Sequence, residues 1–231
     1  IYCVIGFIGA FIFSFFFSSD ILHFLVLPFK WGTGQDVSLI SIKLLGVFLV
    51  KLKIAFFGGL FIGFPLIATQ IYRFVAPGLY KHEKQAFLPY LIATPVFFIL
   101  GASLVYFFLL PVAIKFFTAL AGTSGVALMP DIEAYLDFVM MLILAFGLCF
   151  QLPVVLTLLG QIGILSYEQL KSGRKFAIVG VFIVAAVLTP PDPISQIAMA
   201  VPLMALYELS VQAVRVIDIR RKAMPAPSIT G

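Results

Sequence analysis

The chain has 231 residues, of which 62% are hydrophobic and only 11% are charged, and its mean hydropathy is +1.16. A water-soluble domain carries about 25% charged residues, so this chain lacks the polar surface that contact with water requires. The composition therefore excludes an ordinary soluble domain and predicts that lipid is its main solvent. We attribute the net charge of +5 to bases at the ends of membrane spans rather than to a nucleic-acid surface.

Six apolar segments are long enough to be membrane spans. They are residues 1–17, 54–71, 88–110, 138–160, 176–189 and 194–213. They lack the alternation of barrel strands, so we predict an all-α membrane protein, one six-helix transmembrane domain over residues 1–231. "TPPDP" at 189–193 permits only a tight turn, and we therefore expect the fifth and sixth helices to form a short hairpin. Because the first span starts at residue 1, we expect a native N-terminal segment to precede it.

The lysines and arginines predict the orientation of the spans. Ten of them follow the second, fourth and sixth spans, and the other five lie on the opposite side. This places both termini, including the tail 214–231, in the cytoplasm. The weak point is the outer loop 18–53, which carries four lysines. We interpret its second half, "SLISIKLLGVFLVKLK", as an interfacial helix lying on the membrane.

Polar side chains at membrane depth are candidate functional residues because burying them in hydrocarbon is costly. Gln151 lies two residues before Pro153 and either satisfies the carbonyl that this proline frees or faces a partner helix. Gln196 lies just after the outer turn and either caps the hairpin or contacts a helix of another protein. Glu208 is close enough to the inner interface to reach water or an arginine.

The inventory of reactive groups argues against an enzyme. His23 and His82 are the only histidines and lie in no span, and no glycine-rich phosphate loop precedes a helix. Cys3 and Cys149 lie in apolar runs without motif spacing, so we interpret them as packing residues and expect no metal or cofactor. A small-solute secondary transporter remains an alternative, although no repeat relates the two halves.

Residues 74–87, "FVAPGLYKHEKQAF", contain one carboxylate, Glu83, between the bases Lys81 and Lys84. Bases alone are enough to orient a membrane protein, so topology does not explain the acid. A carboxylate accepts two parallel hydrogen bonds from a guanidinium group. We therefore interpret Glu83 as a site for an arginine on an arriving peptide, with an exposed local ion pair as the alternative.

Three stretches carry a resemblance to a known family. "FVAPGLYKHEKQAF", "AFGLCFQLPVVLTLL" and "LTPPDPISQIAMAVPLMALYELSV" resemble signature stretches of TatC, the multispanning subunit of the twin-arginine protein translocase. The resemblance implies a cupped six-helix bundle that binds twin-arginine signal peptides and exports folded proteins, driven by the proton-motive force. The implied partners are single-span subunits of the TatA and TatB type and other TatC copies, in the bacterial inner membrane.

The resemblance also implies roles for particular residues. Glu83 matches the acid of the cytoplasmic loop that binds the twin arginines, and Phe74 and Gln70 match positions on the same recognition surface. The remaining matches are a proline of the outer loop, Pro28, and the outer-turn positions for partner docking and translocation, Thr189, Asp192 and Gln196. Where the family has an acid in the fourth span this chain has Gln151, and the family's N-terminal Glu-Leu-Arg stretch has no counterpart.

Overall fold

Helices account for nearly all of the described chain, because a backbone in lipid must satisfy its hydrogen bonds within each segment. The computed structural model describes residues 2–33, 39–75, 88–123, 130–188 and 193–223. Within these ranges there is no strand, and the β-type pairing is one isolated bridge between Ile40 and Asp131. The all-α prediction is confirmed.

The described ranges contain nine α-helices and one π-helical turn. In chain order they are α1 (Tyr2–Phe16), α2 (Ser18–Thr33), α3 (Gly46–Val75), α4 (Leu88–Leu104), the π turn (Val105–Leu109), α5 (Leu110–Thr123), α6 (Ile132–Cys149), α7 (Leu152–Gln161), α8 (Tyr167–Leu188) and α9 (Pro193–Ala223). The chain divides into two compact units, Ile1–Leu148 and Cys149–Gly231.

In the first unit, α1 packs on α3 through small residues. A Cβ atom built on Gly58 would lie 2.3 Å from Ser14 Oγ, and one on Gly59 would lie 3.2 Å from the Cα of Phe11. Small residues of this kind let membrane helices approach closely, where lipid supplies no hydrophobic drive between them.

The π turn between α4 and α5 is explained by Pro111. Within the turn the N–H of Leu110 donates to the carbonyl of Val105, five residues earlier. Pro111 has no N–H for the carbonyl of Phe107, and its ring would clash with that carbonyl in a regular helix. A wider turn just before the proline relieves the clash while the helix continues.

In the second unit, α7 and α8 both pack against α9. Gly160 of α7 faces Val214 of α9, whose Cγ2 would lie 2.9 Å from an added Cβ. Gly163 ends α7 with a φ of 77°, a left-handed conformation that glycine adopts without steric cost. A buried cluster joins α8 to α9 and consists of Leu170, Tyr207, Val211 and Val214.

Four helical stretches of the described residues are long and apolar enough to cross a membrane, or five if the bent pair α1–α2 counts as one span. They are Gly46–Gln70, Pro89–Gly122, Ile132–Gln161 and Gln196–Arg220, together with Cys3–Phe16 and Ser18–Thr33, which are bent by 77°. Residues 176–188 of the predicted fifth span lie in α8, whose first turns carry three bases. The count of six spans therefore stays a prediction.

The predicted outer loop 18–53 is wrong in detail. Its first part is the helix α2, and α3 already begins at Gly46, so residues 46–53 are not a separate interfacial helix. The helix α2 buries Leu25 and Phe29, one turn apart. Its polar residues hid this stripe from the hydropathy pattern, although Asp20 in the first turn and Lys30 in the last match the helix dipole.

The expectation of short fifth and sixth helices is also wrong. The helix α8 has 22 residues and α9 has 31. Both continue beyond their apolar runs, because Glu, Lys and Arg are good helix formers and can extend a helix into the polar boundary of the membrane. The length of the apolar run therefore underestimated the length of the helix for both α8 and α9.

Candidate functional site

The residues predicted for peptide recognition lie at and beyond the end of α3. Gln70 is half-buried in the last turns of this helix, and Phe74 follows four residues later in the same helix. A separation of four residues puts both positions on one helix face. Glu83 lies outside the described residues, so the described part of the site is the end of α3.

The residues predicted for partner docking lie around the start of α9. Gln196 is half-buried in its first turn, and its Nε2 donates to the carbonyl oxygen of Phe182 in α8 at 3.4 Å. A hydrogen bond of that length is weak, so the amide keeps donors and an acceptor for another partner. Thr189 and Asp192 lie outside the described residues.

Gln151 lies at the break between α6 and α7. It is the N-cap residue of α7, with Pro153 in the first turn, and its carbonyl accepts the N–H of Val155 at 2.9 Å. The side chain makes no capping hydrogen bond to α7. The two roles expected for this side chain, satisfying the carbonyl that Pro153 frees or facing a partner helix, stay predictions.

Pro28 is buried inside α2, one of the segments of the predicted outer loop. It has no N–H for the carbonyl of Phe24. The hydroxyl of Tyr106 donates to that carbonyl at 2.6 Å, and its ring stacks on Phe24 with centroids 4.3 Å apart. The π turn thus supplies the donor that Pro28 removes from α2, an arrangement that sequence analysis missed because the partners are 82 residues apart.

A polar cluster joins the segment before α3 to the start of α6. Ile40 N–H donates to Pro130 at 3.2 Å, and Ile132 N–H donates to Ile40 at 2.9 Å. Beside this bridge Lys43 Nζ pairs with Glu133 Oε2 at 2.5 Å. Hydrogen bonding to Glu133 and the charge of that carboxylate raise the pKa of Lys43 above 10.5.

A second ion pair joins α3 itself to α6. Lys53 Nζ contacts both carboxylate oxygens of Asp137, at 2.7 and 2.8 Å. Two of the lysines that weakened the predicted orientation are therefore paired with acids of α6. The sequence contained a signal for these pairs: the lysines and the acids lie on two segments that were predicted to be on the same side of the membrane.

Charged and aromatic groups also converge where α8 begins and α9 approaches its end. Arg174 pairs with Glu208 at 2.6 Å, so the expectation that Glu208 reaches an arginine is met by α8 rather than by Arg215. Tyr207 donates its hydroxyl to the carbonyl of Leu170 at 2.7 Å. Because Glu208 is paired here, it is an interhelix contact rather than a free intramembrane acid.

The described residues contain an apolar cavity but no cluster of metal ligands. Within the described ranges no group of three or more His, Cys, Asp or Glu side chains could hold a metal ion. A cavity of about 300 Å³ opens between α2, α3, α4 and the π turn, and its lining is almost wholly apolar. A cavity of this size and lining suits an apolar group.

Comparison with known proteins identifies the family. The family model for the Sec-independent protein translocase protein (TatC) matches residues 1–202. A TatC protein of Magnetococcus marinus is 42% identical over 219 residues, covering 95% of this chain and 80% of that protein. The TatC protein of Escherichia coli K12 is 37% identical over 211 residues, covering 90% and 81% respectively.

The fold agrees with these sequence matches. A crystal structure of the twin arginine translocase receptor TatC superposes with a TM-score of 0.82 at 35% identity, and the match covers 94% of each chain. The resemblance seen in three sequence stretches is therefore matched by a structural likeness over 94% of this chain. This chain belongs to the TatC family of Sec-independent protein translocase proteins.

Proposed function

We propose that this chain is the receptor subunit of a twin-arginine translocase. In this role it binds signal peptides that carry paired arginines and exports folded proteins across the membrane, driven by the proton-motive force. One observation carries the proposal: a superposition over 94% of both chains on a twin arginine translocase receptor. Relatives named as translocase proteins do not favour the alternative of a small-solute transporter.

The signal-peptide site in this proposal consists of Glu83, Phe74 and Gln70. Gln70 and Phe74 lie one turn apart at the end of α3, and Glu83 follows in the next segment of the chain. The carboxylate of Glu83 binds guanidinium through two parallel hydrogen bonds, which lysine cannot reproduce. The amide and the aromatic ring hold the peptide beside that contact.

The partner site consists of Thr189, Asp192 and Gln196, in the part of the sequence that leads from α8 into α9. The weak hydrogen bond from Gln196 to α8 supports this role, because a polar group of a partner helix can compete for it. The partners are single-span subunits of the TatA and TatB type, and further copies of this chain complete the complex. Gln151 contributes a hydrogen-bonding group within the membrane, where it cannot titrate.

The topology in this proposal has six spans in one domain of the bacterial inner membrane, with both termini in the cytoplasm. Single cysteines at Ser172 and Ser124, in a background without Cys3 and Cys149, test it. A membrane-impermeant thiol reagent should reach them from opposite sides. Labelling of both from the same side would contradict the six-span topology.

Peptide crosslinking tests the function itself. A photo-crosslinkable peptide carrying paired arginines should attach to the chain in membrane vesicles, near the end of α3. A matched peptide with paired lysines should attach much less, since lysine offers only a point charge. Equal crosslinking of both peptides would contradict a receptor for twin arginines.

A further inference from the structure

Two cations from different helices meet at one aromatic ring in the second unit. Lys171 Nζ of α8 lies 5.7 Å from the ring centroid of Tyr167, and Arg215 Cζ of α9 lies 5.6 Å from it. Both distances lie within the range of cation–π attraction. Both cations therefore lie beside the same aromatic ring at the junction of α8 and α9.

The ring itself is held in place by hydrogen bonding and packing. The backbone N–H of Tyr167 donates to Asp218 Oδ2 of α9 at 2.7 Å. Tyr167 also packs on the buried cluster that joins α8 to α9. Asp218 is therefore engaged at the start of α8, and the two cations stand on a fixed platform.

Neither cation has an acidic partner among the described residues. Lys171 and Arg215 are both exposed, whereas Arg174 nearby on α8 is paired with Glu208 at 2.6 Å. Two like charges on one ring repel each other unless an anion joins them. This arrangement fits one negatively charged group that contacts both cations.

The surroundings indicate that this anion belongs to a lipid. Exposed apolar side chains flank the cations, with Val216 at 49%, Ile219 at 58% and Ile164 at 62% exposure. The apolar run of α8 opens at Phe176, which is 82% exposed and lies about 7.5 Å beyond Lys171 by helix rise. Cations, an aromatic ring and apolar side chains at this depth match the headgroup boundary of a bilayer.

We propose that Lys171, Arg215 and Tyr167 form a binding site for the phosphate of an anionic phospholipid. The phosphate contacts both cations, and the acyl chains run from it along the apolar part of α8 that begins at Phe176. The lipid thereby ties α8 to α9 at the boundary of the membrane. This site is separate from the end of α3 and requires neither cargo nor a partner subunit.

Lipid titration of the purified full chain in neutral detergent tests the site. Fluorescent phosphatidylglycerol should bind saturably, and phosphatidylcholine should bind much more weakly because its headgroup has no net charge. Each base near an anionic headgroup changes affinity by about fivefold. Lys171→Gln with Arg215→Gln should therefore weaken phosphatidylglycerol binding by about twenty-five-fold.

Matched variants separate the site from general charge. Lys115→Gln with Arg220→Gln removes the same two charges from other positions and should leave the affinity unchanged. Lys171→Arg keeps the positive charge and should retain lipid binding. Loss of binding in this variant would indicate that substitution at position 171 disturbs the fold. Wild-type affinity in the double Lys171, Arg215 variant would overturn the proposal. Equally tight binding of soluble glycerol phosphate would also overturn it, because the site would then hold a small anion rather than a lipid.

Discussion

Replacing Gly58 by alanine should loosen the contact between α1 and α3. The added Cβ would lie 2.3 Å from Ser14 Oγ and 2.7 Å from Ser14 Cβ, whereas carbon atoms in good contact lie about 3.5–4.0 Å apart. Ser14 is fully buried and its Cβ moves only with its helix. Overpacking of this kind costs roughly 1–3 kcal/mol, because α1 must shift away from α3.

Gly63→Ala is the matched control, because the substitution and the helix are the same. The nearest atom to an added Cβ there is Phe7 Cα, at an ordinary 4.0 Å. Alanine is the better helix former by about 1 kcal/mol, and this gain applies at both positions. The difference in stability between the two variants should therefore equal the overpacking cost of roughly 1–3 kcal/mol.

Cys3, half-buried on α1, reports the release of this helix in a Cys149→Ser background. Thermal labelling of Cys3 by a thiol-reactive dye should begin at lower temperature in Gly58→Ala than in Gly63→Ala. Adding Ser14→Gly should restore much of the loss, since the next nearest atom is Ile21 Cδ1 at 3.7 Å. Equal labelling curves for the two alanine variants would refute the close approach of α1 and α3.

Three further predictions follow from individual contacts. Tyr106→Phe should destabilise the protein by about 1–3 kcal/mol, because the Phe24 carbonyl loses its donor; thermal unfolding in a Pro28→Ala background should show a smaller loss, and an equal loss would contradict this account. The pKa of Lys43 is raised by Glu133, so the ion pair should stabilise the fold fully below the ordinary lysine pKa of 10.5 and lose this effect as the pH rises through the pKa in the folded state. Wild type should therefore be more stable than Lys43→Met only below that pH, and a stability difference that persists at still higher pH would contradict this prediction. Gln196→Leu should reduce crosslinking to partner helices while the amount of inserted protein stays constant, and loss of the inserted protein would instead indicate a structural cap.

The all-α fold class and the positions of most helices could be predicted from the sequence, because both depend on the hydropathy of short stretches of the chain. Hydropathy found apolar runs that coincide with described helices, but it treated residues 138–160 as one span, which the structure divides into α6 and α7 next to Pro153. The helix α2 was missed because Asp20 and Lys30 lower its hydropathy, although its apolar residues recur at helical spacing. Periodicity would have been the better guide there than mean hydropathy.

Contacts between distant segments could not be predicted in this way. The sequence "FFGGLFIGF" offers three glycines, but only packing decides that Gly58 meets Ser14 while Gly63 has room. Lys43 and Glu133 are 90 residues apart, and hydropathy contains no term for their pairing. The residues of the candidate sites were identified from the sequence through family resemblance. The structure describes the surroundings of four of them, Gln70, Gln196, Gln151 and Pro28.

The most direct test of the receptor proposal is peptide crosslinking to full-length Glu83→Gln. This substitution keeps size and removes charge, so a twin-arginine peptide should bind about ten- to a hundredfold more weakly, which corresponds to one charge-assisted contact of about 1.5–3 kcal/mol. Glu168→Gln, at an exposed position in the first turn of α8, is the matched control and should bind the peptide as wild type does. Unchanged crosslinking in Glu83→Gln, with equal amounts of inserted protein, would contradict the assignment of Glu83 as the arginine-binding group.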